Sequence, residues 1–297
     1  MSPRHLGMLG VLAAIWGAAF MLIEIALRGF PPAALIAGRL GSAVLALALF
    51  EAGRRRLRST LTRMRPYALR LAVAGVVTTA APFFLIAWGQ QYVDSNIAAI
   101  LNAGAPLFTV LLAAVAVRSE RVAGLRLAGF VLGFGGVVLV VGAAPDDGNR
   151  GVLGALAIVA ATVFYAAGAL YVSRRLRDLS AFDVSFGLLI WAALVTLPPG
   201  LAVLPGSDYG WGPAAAILAL GVLATALAFQ LYFGLIAGVG AARAILVTYL
   251  VPALALVYGV TLLDEELRWT AVAGLALVLA GVGIGTGALR RRVPPPA

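Results

Sequence analysis

Arg39 stands in Ala37-Gly38-Arg39-Leu40-Gly41, deep inside an apolar run that would carry it roughly a third of the way across a bilayer. A charge at that depth costs about 2.5–3.5 kcal/mol on insertion scales unless something partners it. The acid in the neighbouring apolar run is Glu24, within reach of a long arginine side chain. Two readings fit the pair. A guanidinium matches planar carboxylates and stacks on rings, so Arg39 can anchor a substrate carboxylate, or form with Glu24 a gate pair that breaks during a cycle. Alternatively the two form a structural tie between the first two helices, or Glu24 pairs with Arg28 one turn along.

Prolines and aromatics extend the candidate set. Pro106 and Pro252 fall inside apolar runs, where each removes a backbone hydrogen bond and frees the carbonyl four residues earlier, that of Asn102 and of Thr248. Pro82 does the same for Thr78 but has no proline counterpart in the second half. Helices broken or kinked at mid-membrane point to a solute site; equally, prolines shape packing alone. Trp16, Phe83, Phe84, Asn102, Tyr165, Gln230 and Tyr249 are candidates to line a largely apolar pocket with a few placed polar groups, which suits a small organic solute. Trp88, Trp191, Trp211 and Trp269 fall near run ends, where tryptophan gathers at the lipid–water boundary.

Other chemistries lack their residues. There is no Cys, which excludes disulfides and thiolate metal sites. The one His is His5, and all 22 basic residues are Arg, so no P-loop lysine exists for nucleotide. No catalytic cluster, metal site or cofactor is expected.

The elements that must position these residues are membrane helices. Hydrophobic residues make up 62% of the 297 and charged residues 11%, where a soluble domain carries about 25% charged residues. The net charge of +10 sits in short clusters between apolar runs, which argues for a membrane and against nucleic acid. A helix needs about 20 apolar residues to cross a bilayer. Breaks at charge clusters and Pro/Gly/Asp loops predict ten spans, over 6–28, 31–52, 67–90, 93–117, 122–144, 151–173, 181–203, 212–236, 241–263 and 269–289. The first is expected to be a span, not a removable leader. With the N-terminus in the cytoplasm, eighteen arginines fall on that side, among them the seven from Arg54 to Arg70. Only Arg28, Arg150 and Arg268 fall opposite, which predicts that both termini are cytoplasmic.

The halves resemble each other. Pro106, Glu120, Gly129 and Gly136 recur as Pro252, Glu265, Gly274 and Gly281 with nearly constant spacing. Five spans per half is an odd number, so the second half must lie inverted, as in secondary transporters whose halves exchange the side to which a central site opens. The glycines predict close packing of the fifth and tenth spans, within one protomer or between two, leaving monomer and homodimer open. Glu120 and Glu265 are placed to cap or tie neighbouring helix ends.

These anchors carry a resemblance. With Ile15-Trp16-Gly17, Arg39, Tyr92 fourteen residues before Pro106, and Ala242-Arg243-Ala244 nine before Pro252, the chain resembles the drug/metabolite transporter superfamily, EamA type, and is similar to YddG-like amino-acid and metabolite exporters. The resemblance implies an all-α polytopic protein of a bacterial-type inner membrane, with ten helices in a 5+5 inverted repeat. Residues 1–148 and 149–290 would form the repeats and 291–297 a cytoplasmic tail. It implies a cavity lined by the first four spans of each half, and export of a small metabolite such as an amino acid, aromatic ones included. The second half departs from the pattern at Val163-Phe164-Tyr165, where tryptophan is usual. A channel-like pore, a carrier of another metabolite or drug, and a membrane scaffold are the alternatives.

Overall fold

The computed structural model describes residues 1–116, 124–143, 148–204, 210–244 and 246–285. Within them the chain is built from helices: α1 (Pro3–Leu27), α2 (Pro32–Gly53), α3 (Leu57–Met64), α4 (Ala68–Gly75), α5 (Ala81–Gly89), α6 (Ser95–Asn102), α7 (Ala105–Ala116) and α8 (Leu125–Ala143). The second half supplies α9 (Asn149–Arg175), α10 (Ala181–Val203), α11 (Trp211–Gly221), α12 (Ala228–Val239), α13 (Ala241–Ala244), α14 (Val247–Leu262) and α15 (Trp269–Gly285). Helix is what lipid demands, because it satisfies every backbone group within the segment.

Among the described residues seven helical stretches are long and apolar enough to cross a membrane: Pro3–Leu27, Pro32–Gly53, Leu57–Gly89, Ser95–Leu112, Asn149–Arg175, Ala181–Val203 and Trp211–Val239. Shorter apolar helices over Leu127–Gly142, Val247–Leu262 and Trp269–Gly285 fall in the expected fifth, ninth and tenth segments. Large aliphatic side chains such as Leu45, Leu69, Val131, Leu153, Leu218 and Leu262 point outward. In a chain this poor in charge, that apolar rim belongs against lipid.

Packing relates the halves. The α8–α15 contact is the most extensive, followed by α2–α10. Around these, α1 packs on α14 as α9 packs on α6 and α7, and α11 on α2 as α4 on α10. Exchanging the halves maps this set of contacts onto itself. The expected glycine packing is present in α8 and α15: a Cβ on Gly129 would lie 2.5 Å from the Gly285 amide, and one on Gly136 would lie 2.9 Å from the Gly274 carbonyl. Gly281 sits backbone to backbone against Gly133. The pair runs antiparallel, as an inverted repeat requires.

Two helical stretches contain a π turn, and the turns correspond. Val76–Ala80 joins α4 to α5, and Val222–Leu227 joins α11 to α12. Their sequences align as Gly75-Val76-Val77-Thr78-Thr79-Ala80 and Gly221-Val222-Leu223-Ala224-Thr225-Ala226, an offset of 146 residues that also relates Pro106 to Pro252. Pro82 follows the first turn and Ala228 takes its place after the second. The widened turn is therefore the duplicated feature, and the proline is one half's addition to it.

The paired prolines act differently. Before Pro106 the helix breaks at Ala103-Gly104, where the Gly104 amide bonds the Leu101 carbonyl at 3.1 Å. Pro252 lies inside continuous α14. Two residues ahead of the prolines stand Gly104 and Leu250 respectively. Glycine, poor in helices, lets the chain break where leucine holds it.

Candidate functional site

The buried cation is held by three helical stretches. Arg39 is 6% exposed on α2. Its Nε donates to the Thr225 hydroxyl at 3.0 Å, and that hydroxyl donates onward to the Leu220 carbonyl at 2.8 Å. Thr225 belongs to the second π turn, whose five-residue register sets its hydroxyl over the carbonyl five residues back. Gly221 makes the approach possible, since a Cβ there would lie 2.5 Å from the Arg39 carbonyl. From α5 the Phe83 ring lies under the guanidinium, 3.9 Å from its carbon to the ring centroid. A cation over an aromatic face gains about 0.5–2 kcal/mol, the upper end where water is excluded. Tyr165 on α9 lies within electrostatic range of the same charge.

Arg39 therefore has a hydroxyl, a ring face and a phenol around it. Among the described residues no carboxylate forms an ion pair with it. The expected Glu24–Arg39 tie is absent, because α1 and α2, though consecutive, share little contact. Helix α1 packs chiefly on α14, α11 and α12, and α2 on α10 and α11. Glu24 instead lines a cleft of about 310 Å³ at one end of the bundle, with Arg28, Asp94 and the Leu263–Arg268 segment.

Other predicted residues divide by direction. Trp16 packs its ring 5.3 Å from that of Tyr232. Its neighbour Gly17 lets α14 close in, since a Cβ there would lie 2.9 Å from Leu254 Cβ and 3.3 Å from the Val251 carbonyl. The Trp-Gly pair thus sends one side chain toward α12 and opens a groove for the helix that carries Pro252. Tyr165 faces inward while Val163 and Phe164 are exposed. Phe84, expected in the lining, is 40% exposed and points out of the bundle while Phe83 points in. Adjacent helical residues project about 100° apart, so the two cannot share one small site. Tyr249 is half-buried against the core, and Pro82 and Pro252 are buried. Among the described residues Asn102 Oδ1 and Gln230 Nε2 are buried without a hydrogen-bond partner, as is Gln90 Oε1, while Gln90 Nε2 donates to the Phe20 carbonyl at 3.0 Å. Buried amides left partly unsatisfied are a reservoir of polar contacts.

Glu265 caps a helix of the other half. It accepts from the Ser95 and Asn96 amides at 2.8 and 3.1 Å, at the start of α6. Gly259 leaves the room its carboxylate occupies, and Asp264, with φ at 58°, turns the chain to aim it. Glu120 lies outside the described residues. Thr225 is the contact that sequence reasoning missed. Its signal was legible in the Gly-Val-x-x-Thr-Ala duplication at the offset of the paired prolines.

Known proteins resemble the chain in sequence and in fold. The chain matches the EamA-like transporter family twice, over residues 6–142 and 152–285. It is 31% identical to a probable terminal-alkyne amino-acid exporter of Streptantibioticus cattleyicolor, covering 90% of this chain and 88% of the relative. It is 27% identical to a probable amino-acid metabolite efflux pump of Salmonella typhimurium, covering 97% of both. A solved crystal structure shares the fold at a TM-score of 0.65 and 20% identity, covering 98% of this chain and 99% of its own.

Proposed function

The chain belongs to the EamA-like transporter family, and from that premise we propose that it exports small amino-acid-like metabolites by alternating access between its halves. In this reading all ten apolar segments cross the membrane, five and then five inverted, with residues 1–148 and 149–290 as the repeats and both termini in the cytoplasm. The asymmetry of the arginines supports the orientation. The antiparallel α8–α15 pair and the exchangeable contacts support the inversion. The relatives' names support the substrate class.

The observation that carries the proposal is Arg39, a buried guanidinium held by a hydroxyl and a ring. Fixed in this way, it can meet a planar carboxylate without first breaking an ion pair. A carboxylate bound to it gains a charge-assisted, two-pronged hydrogen bond in a setting drier than water. Phe83, Tyr165 and the Trp16–Tyr232 pair offer apolar faces to a side chain, the composition expected of a small-solute pocket. Because Arg39 touches a π turn of the opposite half, occupation of the site can bias how the halves sit against each other. The test is counterflow in proteoliposomes preloaded with unlabelled solute and challenged with a panel of labelled amino acids. Saturable counterflow of one class supports the reading. Flux that shows neither saturation nor exchange with any amino acid overturns it.

A further inference from the structure

The short helix α3 has two faces with different partners. On one, at spacings of three and four, stand Thr60, Arg63 and Met64. Thr60 donates to Glu51 at 2.8 Å, and Arg63 grips Asp183 with bonds of 2.8 and 3.0 Å. Met64 is buried. These contacts fasten α3 across the ends of α2 and α10. The other face carries Arg58, Leu61 and Thr62, which with Leu57 and with Arg65 just past the helix end line a shallow cleft of about 370 Å³. Among the described residues no acid lines that cleft. Both arginines are exposed, and Leu61 is 44% exposed.

The neighbouring residues give the depth of this face in a membrane. At the end of α2 the Arg54 guanidinium lies 5.2 Å from the centroid of the half-exposed Phe50 ring, and Arg70 lies 5.7 Å from that of Tyr67. Arginine over an aromatic ring at a helix end is the arrangement by which long side chains reach headgroups from an apolar stem. Leu61 and Leu69 are apolar and exposed on either side of Arg65, so the cleft lies at the boundary between acyl chains and headgroups.

We propose that the outer face of α3 is a binding site for the headgroup of an anionic phospholipid, with Arg58 and Arg65 on its phosphate and glycerol oxygens and Leu61 against its acyl chains. The two arginines, seven residues apart, are separated by about 10 Å along the helix, which lets them bracket one headgroup. Seven arginines between Arg54 and Arg70 supply the attracting field. Because Arg63 is committed to Asp183, it anchors the helix and leaves lipid contact to the other two. The proposal rests on membrane embedding alone, not on which solute is carried.

The experiment uses the full chain, purified, stripped of lipid and titrated with phosphatidylglycerol or phosphatidylcholine. Bound lipid is counted by native mass spectrometry and the thermal midpoint is followed in parallel. The wild type is expected to retain phosphatidylglycerol selectively and to be stabilised by it. Arg58→Gln/Arg65→Gln should bind it about thirtyfold more weakly, the effect of two surface arginines, while Arg177→Gln, on another exposed segment, should match the wild type. Equal phosphatidylglycerol binding by the double variant overturns the site. So does stabilisation by inorganic phosphate equal to that by the lipid, which would assign the cleft to free phosphate. Amino-acid counterflow in pure phosphatidylcholine vesicles reports separately on the transport reading.

Discussion

A guanidinium inside lipid is tolerable only if its surroundings replace water, and those around Arg39 do so with no counter-ion among the described residues. Its Nε–Thr225 bond and the Phe83 ring fix the group in direction, and on the proposed function its remaining N–H groups meet the solute. Arg39→Lys keeps the charge but removes the planar fork and the Nε donor. We expect this variant to fold at wild-type yield and to lower apparent substrate affinity at least tenfold, read as a rise in the half-saturating concentration of counterflow. Equal loss of folded yield and flux would make Arg39 structural. Thr225→Val keeps the shape and removes the hydroxyl; its cost should be about 1–3 kcal/mol of stability, because it strips a buried charge of a partner. The charge itself was legible in the sequence, being an arginine in an apolar run. Its partner was not, because nearness along the chain suggested Glu24 while the fold separates α1 from α2 and brings in a residue 186 positions away.

At the scale of elements, breaks and glycines decide what meets what. The sequence predicted irregularities at Pro106 and Pro252, and only the first becomes a break, since Gly104 cooperates with it and Leu250 does not. The π turns left a fainter trace, a short Gly-Val-x-x-Thr-Ala repeat within Gly- and Ala-rich helices where such matches are common. Glu265 acts between elements: its carboxylate answers the unpaired amides at the start of α6 from the other half of the chain. Glu265→Gln retains one acceptor and loses the charge, so it should destabilise by about 1 kcal/mol, measured as a lower midpoint in thermal size-exclusion assays. Gly281→Leu forces a side chain onto the Gly133 backbone. It should cost about 1–3 kcal/mol or more and reduce the monodisperse fraction. An unaffected Gly281→Leu would mean that α8 and α15 do not pack as described.

For the whole molecule, the all-helical membrane class and its repeat were readable from hydropathy, charge placement and the repeated anchors, since few structures satisfy their backbone in lipid. How the helices neighbour one another was not, because hydropathy marks which segments enter lipid and is silent about which faces touch. Arg39 joins the two halves, with the cation on α2 of the first and its hydroxyl partner on the π turn of the second. On the proposed function, this buried cation recognises the carboxylate of the exported solute. The most direct measurement is competition for counterflow in wild-type proteoliposomes between the best amino-acid substrate, its methyl ester and the corresponding amine. The free acid is expected to compete, and both analogues lacking the carboxylate are expected to fail by at least tenfold. Equal competition by the ester or the amine would contradict that recognition.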